Sequence, residues 1–166
     1  MLHALSLYLL PALLIIAAAS DTLYLRIPNW LTLGTALAFF PMALATGMPW
    51  ADLGWHALSG LLLFLAGFLL FQLRLFGGGD AKLMAAAGLW FGTQQILPFL
   101  FFTVLAGGLL ALAVAAISMT GVHLEITAEK LSRKFSEVKP SVPYGIALAI
   151  GGILAFRDSW WMGLSG

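Results

Sequence analysis

Charged residues are so sparse along this chain that the gaps between them mark out its elements. No Asp, Glu, Lys or Arg occurs in residues 1–20, 27–51, 53–73, 83–124 or 140–156. A helix crosses the hydrocarbon core of a bilayer in about 20 residues. The run over 83–124 is 42 residues long, too long for one pass, and it breaks naturally at Gly92-Thr93-Gln94-Gln95. The pattern therefore predicts six apolar helices, roughly 4–20, 30–47, 56–75, 81–92, 96–119 and 143–160. The fourth is short: at about 1.5 Å per residue it reaches only about 18 Å, against a hydrocarbon core about 30 Å thick. Either it continues past the Gln pair toward Pro98, or its polar end begins below the membrane surface and sets Asp80 at the foot of a recess.

The long polar connection, 121–141, has a different pattern. Leu124, Ala128, Leu131, Phe135 and Val138 recur at steps of four and three, which is one apolar helical face. Glu129, Lys130, Arg133, Lys134 and Glu137 fill the other, with Glu129 and Arg133 at i,i+4. This segment is expected to be an amphipathic helix, lying on the membrane surface or serving as a solvated connector.

Composition turns apolar runs into a membrane assignment. The chain is 61% hydrophobic and 9% charged, where a soluble domain carries roughly 25% charged residues. Its mean hydropathy is +1.00. An all-α integral membrane protein is expected, a single domain over 1–166 with about six transmembrane helices and one amphipathic helix. A formal net charge of +1 offers nothing to nucleic acid. The chain contains no cysteine, which excludes disulfides, thiol nucleophiles and Cys-based metal sites. With six spans, Arg26, Arg74, Lys82, Lys130, Arg133, Lys134 and Lys139 fall on one side and only Arg157 on the other. That side should be cytoplasmic. The start MLHALS has no Lys or Arg, so the first run reads as a span and not as a cleaved signal segment.

The acids carry the candidate chemistry. The three glutamates all lie in the amphipathic segment, and Asp52 and Asp158 lie at outer span ends. Asp21 ends the first span and Asp80 opens the fourth. Two spans separate them, so both face the same side of the membrane. Acids near a bilayer are costly and usually functional. A structural account also exists, with Asp21 paired to Arg26, and Asp80 capping its helix and paired to Lys82. Capping alone does not explain Gly77-Gly78-Gly79, which permit φ > 0 or a close approach of another chain, such as an extended substrate added by strand pairing. A converging aspartate pair performs acid–base hydrolysis: one carboxylate takes a proton from water and the other donates to the scissile amide. The helix N-terminus favours ionised Asp80 and the C-terminus disfavours ionised Asp21, while Arg26 acts against this, so the base is left open. A zinc site is not expected, because His3 and His56 fall on one side and His123 on the other. Ser20 with a lysine is a weaker nucleophile candidate.

Three motifs together resemble a known family. GGGD at 77–80 resembles the GxGD signature of membrane aspartyl proteases. DTLYLRIPNWLT at 21–32 resembles the aspartate and following turn of type IV prepilin peptidases, and VPYGIALAIGG at 142–152 the start of their last helix. The resemblance implies that Asp21 and Asp80 are catalytic. Gly77, Gly78, Gly79, Lys82, Arg26, Pro28, Asn29, Pro143, Tyr144 and Gly145 then form the supporting or substrate-binding loops. Pro28 turns Ile27 away from helix, Asn29 is expected to cap the second span and Pro143 to start the sixth. Lys82 matches a lysine usual after the signature, tuning Asp80 or anchoring the loop to lipid phosphate.

The resemblance further implies a leader peptidase of the bacterial inner membrane that cuts a prepilin precursor at the cytoplasmic face, with no cofactor. Larger members add a CxxC domain and N-methylate the product. The lack of cysteine points to the short, peptidase-only branch of tight-adherence (Flp) pili. Its partners are the pilin-like precursor and the bilayer. A peptidase of archaeal-type flagellin precursors, a proton-coupled transporter and a non-catalytic scaffold of a secretion system are the alternatives.

Overall fold

The computed structural model describes residues 2–119, 144–157 and 159–163. The described residues are helical throughout, joined by short turns: α1 (Leu2–Tyr24), α2 (Asn29–Ala45), α3 (Trp50–Gln72), α4 (Gly78–Phe91), a 3-10 turn (Thr93–Gln95), α5 (Ile96–Met119), α6 (Tyr144–Phe156) and α7 (Trp160–Gly163). The expected amphipathic segment 121–141 and Pro143 lie outside the described residues. Among the described residues, three helical stretches are long and apolar enough to cross a membrane, Leu5–Tyr24, Trp50–Gln72 and Thr93–Ala116. α2 is apolar but shorter.

Apolar periodicity makes these segments helical, and local chemistry ends them. α1 stops where Leu25 turns to φ 50 and its N–H bonds the Asp21 carbonyl at 2.7 Å. Pro28, at φ −64 and ψ 143, then opens α2. α3 ends at Arg74, φ 58, after which the Leu75 N–H reaches back to the Leu70 carbonyl at 2.9 Å. Such 6→1 closures satisfy carbonyls that the helix end leaves open. Gly92, at φ +66, ends α4. α4 is therefore 14 residues long, about 21 Å. The fourth helix does not continue past the Gln pair, because that glycine reverses the backbone first. The sixth is also shorter than the expected 143–160: it stops at Phe156, and α7 follows after a turn.

α4 is the innermost helix. Nine of its residues are buried, although it is among the least apolar by sequence. It lies against α3 along a seam of small residues. A Cβ added at Gly67 would sit 3.1 Å from the Ala81 backbone, and one at Gly88 3.1 Å from Gly60 Cα. In lipid, helices gain little from hydrophobicity alone, so close backbone packing supplies the attraction. α6 is held between α1 and α5 by the same device, with Gly152 against Leu14 and Gly151 against Thr103.

The outer faces of α1, α3 and α5 carry exposed Ile15, Ile16, Leu65, Phe68, Val104 and Leu112, among others. An apolar surface that extensive is not stable in water. At the end of the bundle where α3 begins, Phe39, His56, Trp90 and Trp161 form an aromatic core. Phe39 stacks on His56 at 5.4 Å and Trp90 meets Trp161 at 5.1 Å. The indole N–H of Trp90 donates to the Thr35 carbonyl at 2.9 Å, and that of Trp161 to the Trp90 carbonyl at 2.7 Å. His56 Nδ1 donates to the Leu89 carbonyl at 2.7 Å. His56 is thus a satisfied core residue remote from the aspartates.

Candidate active site

At the other end of the bundle, the last turn of α1, the first turn of α4 and the start of α6 converge. Asp21 is 7% exposed and Asp80 9%. Each carboxylate is held by one backbone amide. The Gly145 N–H donates to Asp21 Oδ2 at 2.8 Å, and the Gly77 N–H donates to Asp80 Oδ2 at 3.1 Å. Asp80 Oδ1 is buried without a hydrogen bond. Neither carboxylate pairs with Arg26 or Lys82. Arg26 is exposed, and Lys82 Nζ donates to Asn29 Oδ1 at 2.9 Å.

The glycines act through close approach and not through φ > 0. Gly77 has φ −72, and the glycines at positive φ are Gly47 and Gly92. A Cβ on Gly79 would lie 3.1 Å from Ile27 Cβ and 3.3 Å from its carbonyl oxygen. The turn after Asp21 and the loop before Asp80 therefore touch through backbone, and a side chain at Gly79 would push them apart. At Gly145, an added Cβ would lie 2.8 Å from both Cβ and Oδ2 of Asp21. Gly78 and Gly79 belong to the first turn of α4, so extended backbone is confined to the residues just before them.

Burial pushes the Asp80 carboxyl up to about 7, from 3.8; the Asp21 charge adds to this and the Gly77 N–H opposes it. The helix N-terminus, which by itself favours the ionised form, is outweighed. Burial thus favours the protonated form of Asp80 as pH approaches neutrality, the reverse of what the helix-dipole argument favours.

Several supporting residues have roles other than those expected. Asn29 is the first residue of α2, with Pro28 at the cap position and no side-chain cap. Its amide oxygen is engaged by Lys82, which ties α2 to α4. Of the two roles expected for Lys82, tuning of Asp80 finds no contact here, since Lys82 is not among the groups that shift Asp80. The Ser20 hydroxyl donates to the Arg26 carbonyl at 2.9 Å and so closes the turn after Asp21. Tyr144 places its ring 5.0 Å from that of Phe76. Phe76 lies at the head of the glycine stretch, and sequence reasoning assigned it no role. An aromatic residue directly before three residues without side chains was the available signal.

The family model described as the type IV leader peptidase family matches residues 8–112. The matched region contains both aspartates, the turn between α1 and α2, and the glycine stretch. No curated protein and no solved structure was found to match the chain.

Proposed function

The chain belongs to the type IV leader peptidase family, and from that premise we propose that it is an aspartyl endopeptidase of the bacterial inner membrane. It removes the leader of a prepilin-type precursor, of the Flp type, at the cytoplasmic face. The observation that carries this reading is the pair of buried carboxylates, Asp21 and Asp80, each anchored on a single backbone amide at one end of the bundle.

Asp21, ionised, takes a proton from water, and the oxygen attacks the scissile carbonyl carbon. Asp80, protonated, donates to the carbonyl oxygen and gives a neutral gem-diol. In the second step Asp21 returns its proton to the departing amine nitrogen. Asp80 recovers one from a hydroxyl of the gem-diol as the C–N bond breaks. Two carboxylates thus exchange roles with no net gain or loss of protons. Asp80 Oδ1, which has no hydrogen-bond partner among the described residues, is the oxygen that carries the mobile proton. The substrate's own apolar helix, lodged in the bilayer, holds the scissile bond at this level.

The test is co-expression with a tagged Flp-type prepilin, with precursor size read on a gel. The expected result is a size shift with the wild type that disappears in Asp80→Asn. No shift with the wild type across several pilin-like precursors would overturn the reading.

A further inference from the structure

Phe76 and Tyr144 occupy equivalent places in two unrelated segments. Phe76 directly precedes Gly77, whose N–H holds Asp80. Tyr144 directly precedes Gly145, whose N–H holds Asp21. The two rings pack against each other with centroids 5.0 Å apart and planes tilted by 36°. We propose that this ring pair is the strut that sets the separation of the two carboxylates, and that Phe76 and Tyr144 are positioning residues for the dyad. The proposal rests on the aspartyl reading of the site.

The argument starts from the glycine stretch. Residues 77–79 have no side chains with which to fix their position. Phe76 is the last side chain before Asp80 that can anchor them. Its backbone is already held, because the Phe76 N–H donates to the Leu70 carbonyl at 3.3 Å. The ring is partly buried against the core. The Tyr144 ring is seated in turn by Gly107 of α5, where an added Cβ would lie 3.7 Å from the ring edge. α3 therefore holds the Phe76 backbone, and α5 lies against the Tyr144 ring. Movement of either ring passes through one peptide unit to the amide that orients a carboxylate.

Aromatic pairs interact with ring centroids about 4.5–7 Å apart, a contact that a branched aliphatic side chain does not reproduce. A displacement of about 1 Å at a reacting group costs on the order of 100-fold in rate. The effect should therefore fall on turnover and not on binding.

The experiment uses the full-length protein in lipid nanodiscs with a prepilin substrate. Phe76→Leu and Tyr144→Leu should each lower kcat on the order of 100-fold with KM within about twofold of wild type. Phe76→Tyr and Tyr144→Phe, which keep a ring, should stay within about threefold. The double Leu variant should be no worse than either single one, since one link is broken in each. Leu variants that keep wild-type kcat, losses confined to KM, failure of the ring-preserving variants or multiplying losses would overturn the strut. A readout without substrate separates this outcome from failure of the peptidase reading, and the ring-preserving variants carry the test if a Leu variant loses its fold. Aspartate carboxyl titration by 13C NMR should show the Asp21→Asn effect on Asp80 shrinking in Phe76→Leu and persisting in Phe76→Tyr. An unchanged coupling in folded Phe76→Leu, or its loss in Phe76→Tyr, would also overturn the proposal.

Discussion

Asp21, in the last turn of α1, takes its hydrogen bond from the backbone N–H of Gly145, 124 residues further along the chain, at 2.8 Å. The glycine is required for that bond, because a Cβ there would lie 2.8 Å from the carboxylate it serves. Gly145→Ala should turn or displace Asp21 and lower processing on the order of 100-fold, with little change in melting temperature. Activity near wild type, measured by precursor processing alongside thermal denaturation, would remove Gly145 from the site.

On the proposed mechanism, both carboxylates are needed for each turnover. Asp21→Asn and Asp80→Asn keep the size of the side chain, and the amide of Asp80→Asn is neutral like the protonated acid, but neither variant can exchange the proton. Each should reduce processing by at least about 10²–10⁴-fold. The variants should still insert in membrane and show wild-type helix content by circular dichroism. Processing near the wild-type rate by either would discard the dyad.

The raised Asp80 value makes a signed statement about pH. Folded Asp80 keeps its proton up to about 7, whereas 3.8 is its ordinary value. Between those limits the folded chain binds more protons than the unfolded one, so stability falls as pH rises and is level on either side. The fall should be on the order of a few kcal/mol at most. Melting of wild type and Asp80→Asn from acid to neutral pH checks it, and the slope should be shallower in the variant. Turnover should also decline above about 7 as Asp80 loses the proton it donates. A wild-type profile flat through that range would contradict the role of Asp80 as acid.

The aromatic core at the opposite end should be separable from catalysis. Trp90→Phe removes the indole donor to the Thr35 carbonyl but leaves the Trp90 carbonyl to accept from Trp161. It should cost about 1–3 kcal/mol of stability, for the lost hydrogen bond and the missing ring volume. Processing at a temperature where the protein stays folded should be within about twofold of wild type. A selective loss of kcat would show that the two ends of the bundle are coupled.

The positions of the helices were legible because sparse charges delimit them, and the pair Asp21 and Asp80 because few acids remain once the amphipathic segment is set aside. The length of α4 was not legible. Only the φ +66 turn at Gly92 shows that it ends before the Gln pair. Asn29 read as a helix cap, since local rules give an exposed Asn that role. The structure uses it instead to receive Lys82 from α4, a contact between residues 53 apart that no local rule contains. The three glycines read as positive φ or the close approach of another chain; two lie in ordinary helix, and the close approach at Gly79 is that of Ile27 in the same chain.

Alone, the sequence determined the helical class, the approximate helix positions and the two acids, because apolar runs and charge placement act locally or through the membrane's fixed thickness. Tertiary structure decided which backbone amide holds each carboxylate, that α4 is the buried centre, and that burial pushes the Asp80 carboxyl upward. Those follow from burial and from contacts between distant segments, where desolvation outweighs the local helix dipole that the sequence could display.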